Sequence, residues 1–375
     1  MGWLVLYGAV WLGVLLIGER LATAAVRAAD RVPFAADCPP VSVVKPVRGA
    51  DEFSAANFRS WQEQDYPAPV QVVFSLQDPH DAALPILRAL QATHACDVIV
   101  HPIRPGYGGK TSNLFYGIAH AKHELLVLSD ADMHAPPETL RRIAGALAAG
   151  SDAVGCLVGH TAARNLWARI YAQTWNGVIV GIWGGSMVRG RPLGLPGGTV
   201  ALTRATLARC GGIEAVADRL AEDVALGQAL LGRGLRLGMG PPLTSPVGRL
   251  AFRDLLHKLK RGALAARLGP PPGIWPYSLA ALLHVSYLLL LPLALLLGDA
   301  RPALAFALLY VAEGLAEARL ARLAGGRARF AWHAPLSHLL NLSLLAVSVF
   351  DRSVEWGGVR YRVGRGGRIE RSEEQ

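Results

Sequence analysis

The chain has 375 residues, of which 52% are apolar and only 18% charged, with a mean hydropathy of +0.30. That apolar content excludes a disordered chain, and the charge falls short of the roughly 25% usual in soluble domains, so part of the chain is expected in lipid. The net charge of +10 suits nucleic acid, an anionic membrane surface or a phosphate-bearing substrate, while Cys38, Cys96, Cys156 and Cys210, far apart and without a CxxC, form neither a disulfide framework nor a zinc site.

Residues 2–18 form an uncharged run with no Lys or Arg before it. This reads as a retained anchor rather than a cleaved signal peptide. Arg20, Arg27 and Arg31 follow, and the positive-inside rule assigns their side to the cytosol, with Met1 outside. Residues 32–260 then alternate strand and helix signals. Strands are expected at 41–44, 70–76, 97–100 and 125–128, and helices at 53–64, 82–93 and 111–121, with another opening at Pro136-Pro137-Glu138. This rhythm predicts an α/β fold with a mostly parallel sheet and helices on both faces. In such sheets ligands bind beyond the carboxyl ends of the strands.

Past residue 260, the runs 274–298 and 302–318 read as transmembrane helices, with Asp299 and Arg301 at the turn between them. Residues 332–350 are a further candidate, with an interfacial helix as the alternative because His333, His338 and Asn341 interrupt them. Transmembrane helices are thus expected at both ends of the chain. The expected division is an anchor with basic juxtamembrane segment (1–31), a cytosolic domain (32–260), an interfacial segment with C-terminal helices (261–350) and a basic tail (351–375), frayed from 364 onward.

The candidate chemistry sits at strand ends. Asp130-x-Asp132 follows the apolar run LLVLS, and two carboxylates so placed offer oxygen ligands to Mg²⁺ or Mn²⁺, against the plainer reading of a solvated turn. Asp78 closes another strand. Glu222-Asp223 opens the apolar-periodic segment 224–231, where acids also simply suit a helix N-terminus. Lys110 and Asn113 follow the loop Gly106-Tyr107-Gly108-Gly109, which allows close backbone approach and a lysine on phosphate, although the spacing is not that of a Walker motif. His134 lies near the same carboxylates, and His160 follows the strand-like run 153–158. No G-x-S-x-G and no G-x-G-x-x-G after a strand occur, which argues against a nucleophilic hydrolase and a dinucleotide enzyme.

In this order the residues resemble membrane-anchored family-2-type glycosyltransferases, with a strand-end Asp, a DxD, an E-D and a Q/R-x-x-R-W. Here they are Asp78, Asp130-x-Asp132, Glu222-Asp223 and His257-x-x-Lys260-Arg261. The start Val41-Ser-Val-Val-Lys45-Pro46-Val-Arg-Gly49, together with Gln64-Asp-Tyr-Pro67 and Lys110-Thr-Ser-Asn113-Leu114, is similar to the ceramide glucosyltransferase family and its bacterial, hopanoid-associated relatives. One departure is clear: Lys260 and Arg261 stand where that pattern has Arg and Trp, and Trp356-Gly-Gly-Val-Arg360-Tyr361 looks like a tail of bacterial members.

The resemblance implies a GT-A-like nucleotide-sugar-binding domain and an inverting, metal-dependent transfer from a UDP-sugar to the hydroxyl of a membrane lipid such as ceramide. It implies donor contacts from Lys45, Pro46, Asp78, Lys110, Asn113 and Asp130, the divalent cation on Asp132, and Asp223 as general base, kept ionised by the helix N-terminus. Glu222, His257, Lys260 and Arg261 are implied to serve acceptor and nucleotide. The implied setting is a multi-pass protein of the bacterial inner membrane with a cytosolic catalytic domain and no nucleic-acid partner. The rival readings are the same chemistry on a hopanoid, diacylglycerol or polyprenyl phosphate, including from UDP-GlcNAc, or a catalytically degenerate membrane scaffold.

Overall fold

A computed structural model describes residues 2–269, 274–298, 300–356 and 359–371. Asp299, Gly357, Gly358 and residues 372–375, on which some of the expectations above fall, lie outside the described residues.

The central sheet is built from β1 (Val41–Pro46), β2 (Val70–Leu76), β3 (Asp97–Val100), β4 (Leu125–Ser129), β5 (Ala153–Gly155), β7 (Thr199–Thr203) and β8 (Leu237–Met239), in the order β3-β2-β1-β4-β7-β5-β8. β1 to β4 pair in parallel, β7 is antiparallel to both β4 and β5, and β5 is parallel to β8. β6 (Val158–Thr161) and β9 (Leu243–Pro246) form a separate parallel pair. β1 and β4 are buried along their whole length because both faces of the sheet are covered. Along β4, Leu125 and Val127 enter a core with Phe58, Trp61 and Phe74. Leu126 and Leu128 enter the opposite core with Leu114 and Leu202.

Helices α2 (Ser54–Ser60), α3 (Leu84–Gln91), α4 (Gly109–His120) and α5 (Thr139–Ala148) connect these strands, as the alternating pattern predicts. The antiparallel β7 departs from that pattern. Its chain reaches it through α6 (Leu166–Trp175), a π-helical stretch (Asn176–Gly184) and α7 (Gly185–Val188), and leaves by α8 (Arg204–Arg209) and α9 (Glu222–Leu231).

The N-terminal helix α1 (Gly2–Asp30) continues past the expected end of the apolar run, because Arg20 and Arg27 are good helix formers. By length and composition, α1 is the one helix among the described residues apolar enough to cross a membrane. The later runs also form helices: α10 (Phe252–Leu268), α11 (Ile274–Leu296), α12 (Ala300–Leu323) and α13 (Ala334–Phe350). α10 runs unbroken across the expected boundary at 260, and α1, α11 and α12 meet around Trp11, Tyr287 and Phe306.

The tail corrects an expectation. Rather than fraying from 364, it forms an antiparallel sheet of β10 (Ser353–Trp356), β11 (Val359–Val363) and β12 (Ile369–Arg371). Alternation explains it: Tyr361 and Val363 are buried against Leu220 and Leu264, while Arg360 and Arg362 point outward.

Candidate active site

The turn after β4 is fastened from behind. Asp130 N donates to Gly198 O at 2.8 Å, Asn57 Nδ2 to Asp132 O at 3.2 Å, and Trp61 Nε1 to Met133 O at 3.0 Å. Lys45 is fully buried, and its Nζ donates to Asp130 O at 2.7 Å and sits 5.0 Å from the Trp61 ring centre. Burial pushes this ammonium down to about 7, against the pull of Asp132 and Asp130. Lys45 thus supports the carboxylate turn instead of facing a donor. With its backbone pinned, the turn presents the carboxylate of Asp132, whose Oδ2 accepts from Ser245 Oγ at 2.8 Å.

Two helix N-termini complete the site. Lys110, in the first turn of α4, places Nζ 2.5 Å from both Asp130 Oδ1 and Glu222 Oε1. Burial opposes its charge, but Asp130, Glu222 and Asp223 outweigh it and keep Lys110 protonated. Glu222 and Asp223 form the first turn of α9, and Asp223 Oδ1 accepts from Val224 N at 2.7 Å. Burial, and then the neighbouring Glu222, raise the Asp223 carboxyl to about 7, although Lys110 and the Val224 amide pull it down. The helix N-terminus expected to favour the carboxylate form is opposed here by desolvation and by a like charge.

Asp223 lies so close to the preceding strand that a Cβ at Gly197 would sit 2.2 Å from its Oδ2. That contact explains Gly197 in the Pro196-Gly197-Gly198 turn before β7, a turn signal visible in the sequence but not connected to the acids.

A cavity of about 610 Å³ collects these groups. Its polar part is walled by Pro46, Asn113, Asp130, Asp132, Glu222 and Asp223. Asn113 Nδ2 donates to Val47 O at 3.1 Å, while its buried Oδ1 has no hydrogen-bond partner among the described residues. Its apolar part is walled by Trp175, Ile182, Trp183, Leu193, Val224 and Leu345, several of them from the π-helical stretch and its neighbours. That stretch leans on the N-terminal helix, since a Cβ at Gly184 would lie 2.6 Å from Ala25 Cβ.

Among the residues expected at the site, Lys110 and Arg261 also line this cavity. Four others do not. Lys45 stands behind it. Asp78 is exposed and accepts from His80 N at 2.8 Å, and its neighbour Gln77 takes the wall position. Lys260 turns away to pair with Asp351, 2.5 Å off, and His257 is likewise absent from the wall. The reason is helical geometry. Lys258 and Arg261, three apart on α10, share one face and line the cavity, while Lys260 projects elsewhere. Lys258, Gly197 and Arg219 were missed by motif order, with a signal only in the helical period of α10 for Lys258, while Gln77 belongs to the family-like Gln77-Asp78-Pro79, of which Asp78 alone was taken for the site. His134 is engaged in a backbone bridge with Thr244, whereas His160 lines the cavity, with burial and Lys258 lowering it to about 4.

The chain matches glycosyl transferase family 21 over residues 9–369. A ceramide glucosyltransferase of Candida albicans is 25% identical over 115 residues, 27% of this chain and 21% of that protein. Ceramide glucosyltransferase 1 of Caenorhabditis elegans is 23% identical over 212 residues, 53% of this chain and 43% of that protein. The matched part thus spans less than half the length of these curated relatives. Among solved structures, the mannosyltransferase PcManGT from Pyrobaculum calidifontis, in complex with GDP-Man and Mn²⁺, superposes with a TM-score of 0.50 at 21% identity. It covers 92% of this chain and 97% of that one, a likeness of GT-A-type fold. Since the family match runs over nearly the whole chain, the protein belongs to glycosyl transferase family 21 and is a glycosyltransferase.

Proposed function

We propose that this glycosyltransferase moves a hexose from a UDP-sugar to the hydroxyl of a membrane lipid of the ceramide type, with inversion at the anomeric carbon. The observation that carries the reading is the single cavity in which a carboxylate-rich part and an aromatic, apolar part adjoin. The first suits a sugar nucleotide, and the second suits the chains of a lipid. An apolar N-terminal helix packed against the second part supports delivery of the lipid from a membrane. Ceramide is favoured by the named relatives.

In this reading the donor lies against Pro46, Asn113 and Asp130, with the unpaired Asn113 Oδ1 available to a donor N–H. Asp223 accepts the proton of the acceptor hydroxyl as that oxygen attacks the anomeric carbon and the UDP leaves. A carboxyl raised to about 7 is matched to this work, because a base near the working pH both ionises and holds a proton. One displacement gives the inverted glycoside. Half-buried Lys110 keeps Asp130 and Glu222 in place and limits their repulsion of Asp223.

The donor set also fits a divalent cation. Asp130 and Asp132 offer hard oxygens at one strand end, and Mg²⁺ or Mn²⁺ is commonly held by one or two carboxylates plus substrate phosphates. Asp132, with Asp130 beside it, would hold that cation, whose contribution when bound is to offset the charge on the diphosphate. The solved mannosyltransferase, which carries Mn²⁺, supports this reading. The test is Asp132→Asn together with EDTA treatment of the wild type. Each should abolish transfer, and the substitution should remove the Mn²⁺ dependence of UDP binding. Full transfer in excess EDTA contradicts the metal assignment. The same reading has residues 20–273 on the cytosolic side of a bacterial inner membrane, with the apolar part of α1 (residues 2–18) and the C-terminal helices embedded.

A further inference from the structure

The loop that leads into Glu222 and Asp223 is gripped from two sides. From the donor side, Gly108 N and Thr111 Oγ1 both donate to Ala217 O, at 2.9 and 2.7 Å. From the other side comes the C-terminal sheet, nearly 150 residues along the chain. Ile369 N donates to Asp218 O at 2.7 Å, Leu220 N donates to Gly367 O at 2.9 Å, and Arg219 and Arg368 form an antiparallel bridge. Leu220 is buried together with Val354, Tyr361, Val363 and Ile369, so the loop and the sheet share one small core.

The turn between β11 and β12 reaches the cavity itself. Gly366 and Gly367, with φ of +70° and +72°, line its wall beside Arg219. Arg219 Nη1 donates to Gly366 O at 2.5 Å, and a Cβ at Gly366 would lie 2.9 Å from that nitrogen. The buried Arg219 Nε makes no hydrogen bond and stands 3.4 Å from Asp218 Oδ1. Of the other cations, Lys45 stands behind the wall, Lys110 is committed to Asp130 and Glu222 and Lys260 to Asp351, while Lys258 and Arg261 line the wall from α10. A diphosphate entering among four carboxylates needs a cation on the wall, and the Arg219 fork, with one N–H anchored on Gly366 O and Nε paired with Asp218, still has N–H groups to supply.

We propose that the C-terminal sheet is a latch that holds Arg219 on the cavity wall, where the guanidinium binds the diphosphate of the sugar nucleotide. Gly366 and Gly367 are the positioning residues, since only there does a left-handed backbone bring a carbonyl to the arginine without a side chain in the way. The proposal rests on the sugar-nucleotide reading of the cavity.

The test is UDP binding by calorimetry to the full-length protein in detergent with Mn²⁺, with melting temperature measured on the same preparations. Arg219→Gln should weaken binding about tenfold, the size of one charge-assisted hydrogen bond, with melting unchanged within a few degrees. Arg219→Lys should recover part of that loss. Gly366→Val should weaken binding similarly, and the double variant should be no weaker than either single one, because both remove one interaction. If Gly366→Val fails to fold, the Gln and Lys variants decide alone, since Arg219 lies outside the shared core. Wild-type affinity in folded Arg219→Gln, or effects of the two sites that multiply, overturns the latch while UDP binding by the wild type keeps the donor reading. A wild-type protein that binds neither UDP nor GDP with Mn²⁺ overturns both.

Discussion

Asp223 carries two opposed demands. It is half-buried beside Glu222, so charging it costs stability, and it must be charged to take a proton. Its carboxyl is raised from the ordinary 3.8 to about 7. The stability cost is therefore absent below about pH 4, grows as pH rises, and is complete above about pH 7. Asp223→Asn should then melt at least as high as the wild type at pH 8, with the difference vanishing toward pH 4, while turnover falls by at least about 10²-fold. Wild-type turnover should climb through about pH 7 as the base ionises. Melting curves and initial rates across pH on one preparation check all of this, and a folded Asn variant with near-normal turnover removes Asp223 from the chemistry. The identity of these acids was legible because Glu222 and Asp223 open an apolar run, as Asp130 and Asp132 follow one. Their environment was not, since neither the approach of Gly197 nor the Lys110 bridge is encoded by neighbours in sequence.

At the scale of elements, the parallel half of the sheet was readable because each strand is a short run rich in β-branched and other apolar residues, bounded by polar ones. The direction of β7 was not, because pairing sense depends on the long route through α6 and the π-helical stretch rather than on any local pattern. The strand alternation Val359-Arg360-Tyr361-Arg362-Val363 was present but masked by its Gly- and Arg-rich surroundings. Register on α10 was also readable in principle, and motif position alone led to Lys260 where helical period leads to Lys258 and Arg261.

The π-helical stretch is the element that makes the cavity two-sided. π-helical turns are uncommon and cluster at functional sites, and this one turns Ile182 and Trp183 toward the cavity. Trp183→Ala removes one large apolar wall. It should raise the apparent KM for a lipid acceptor about tenfold, just under the roughly 1.5–3 kcal/mol of a fully buried large side chain because Trp183 is half-buried, and leave donor hydrolysis unchanged. Kinetics with short- and long-chain acceptors measure this. An unchanged acceptor KM would assign the apolar part to another role.

Across the whole molecule, the parts lie far apart in sequence and meet at one place. The N-terminal helix supports the apolar wall, the central sheet supplies the carboxylates, and the last strands fasten the loop of Asp223. The basic residues that follow the apolar run of α1, Arg20, Arg27 and Arg31, place the central domain on the cytosolic side in the proposed arrangement. A cysteine introduced at the exposed Ala50, in a chain whose four native cysteines are replaced, should be labelled by an impermeant maleimide only after cells are opened. Labelling in intact cells would contradict that orientation and with it access to cytosolic UDP-sugars.

The central claim is that one cavity joins a sugar nucleotide to a membrane lipid. Its most direct measurement is mass spectrometry of the products formed by purified protein given Mn²⁺, a panel of UDP-sugars and a total lipid extract containing ceramide. The account predicts a single new hexosyl-lipid, made from one UDP-hexose, absent with Asp132→Asn and with Asp223→Asn, and carrying the inverted anomeric linkage. A water-soluble glycoside as the only product, or a lipid product that persists in both variants, would contradict it.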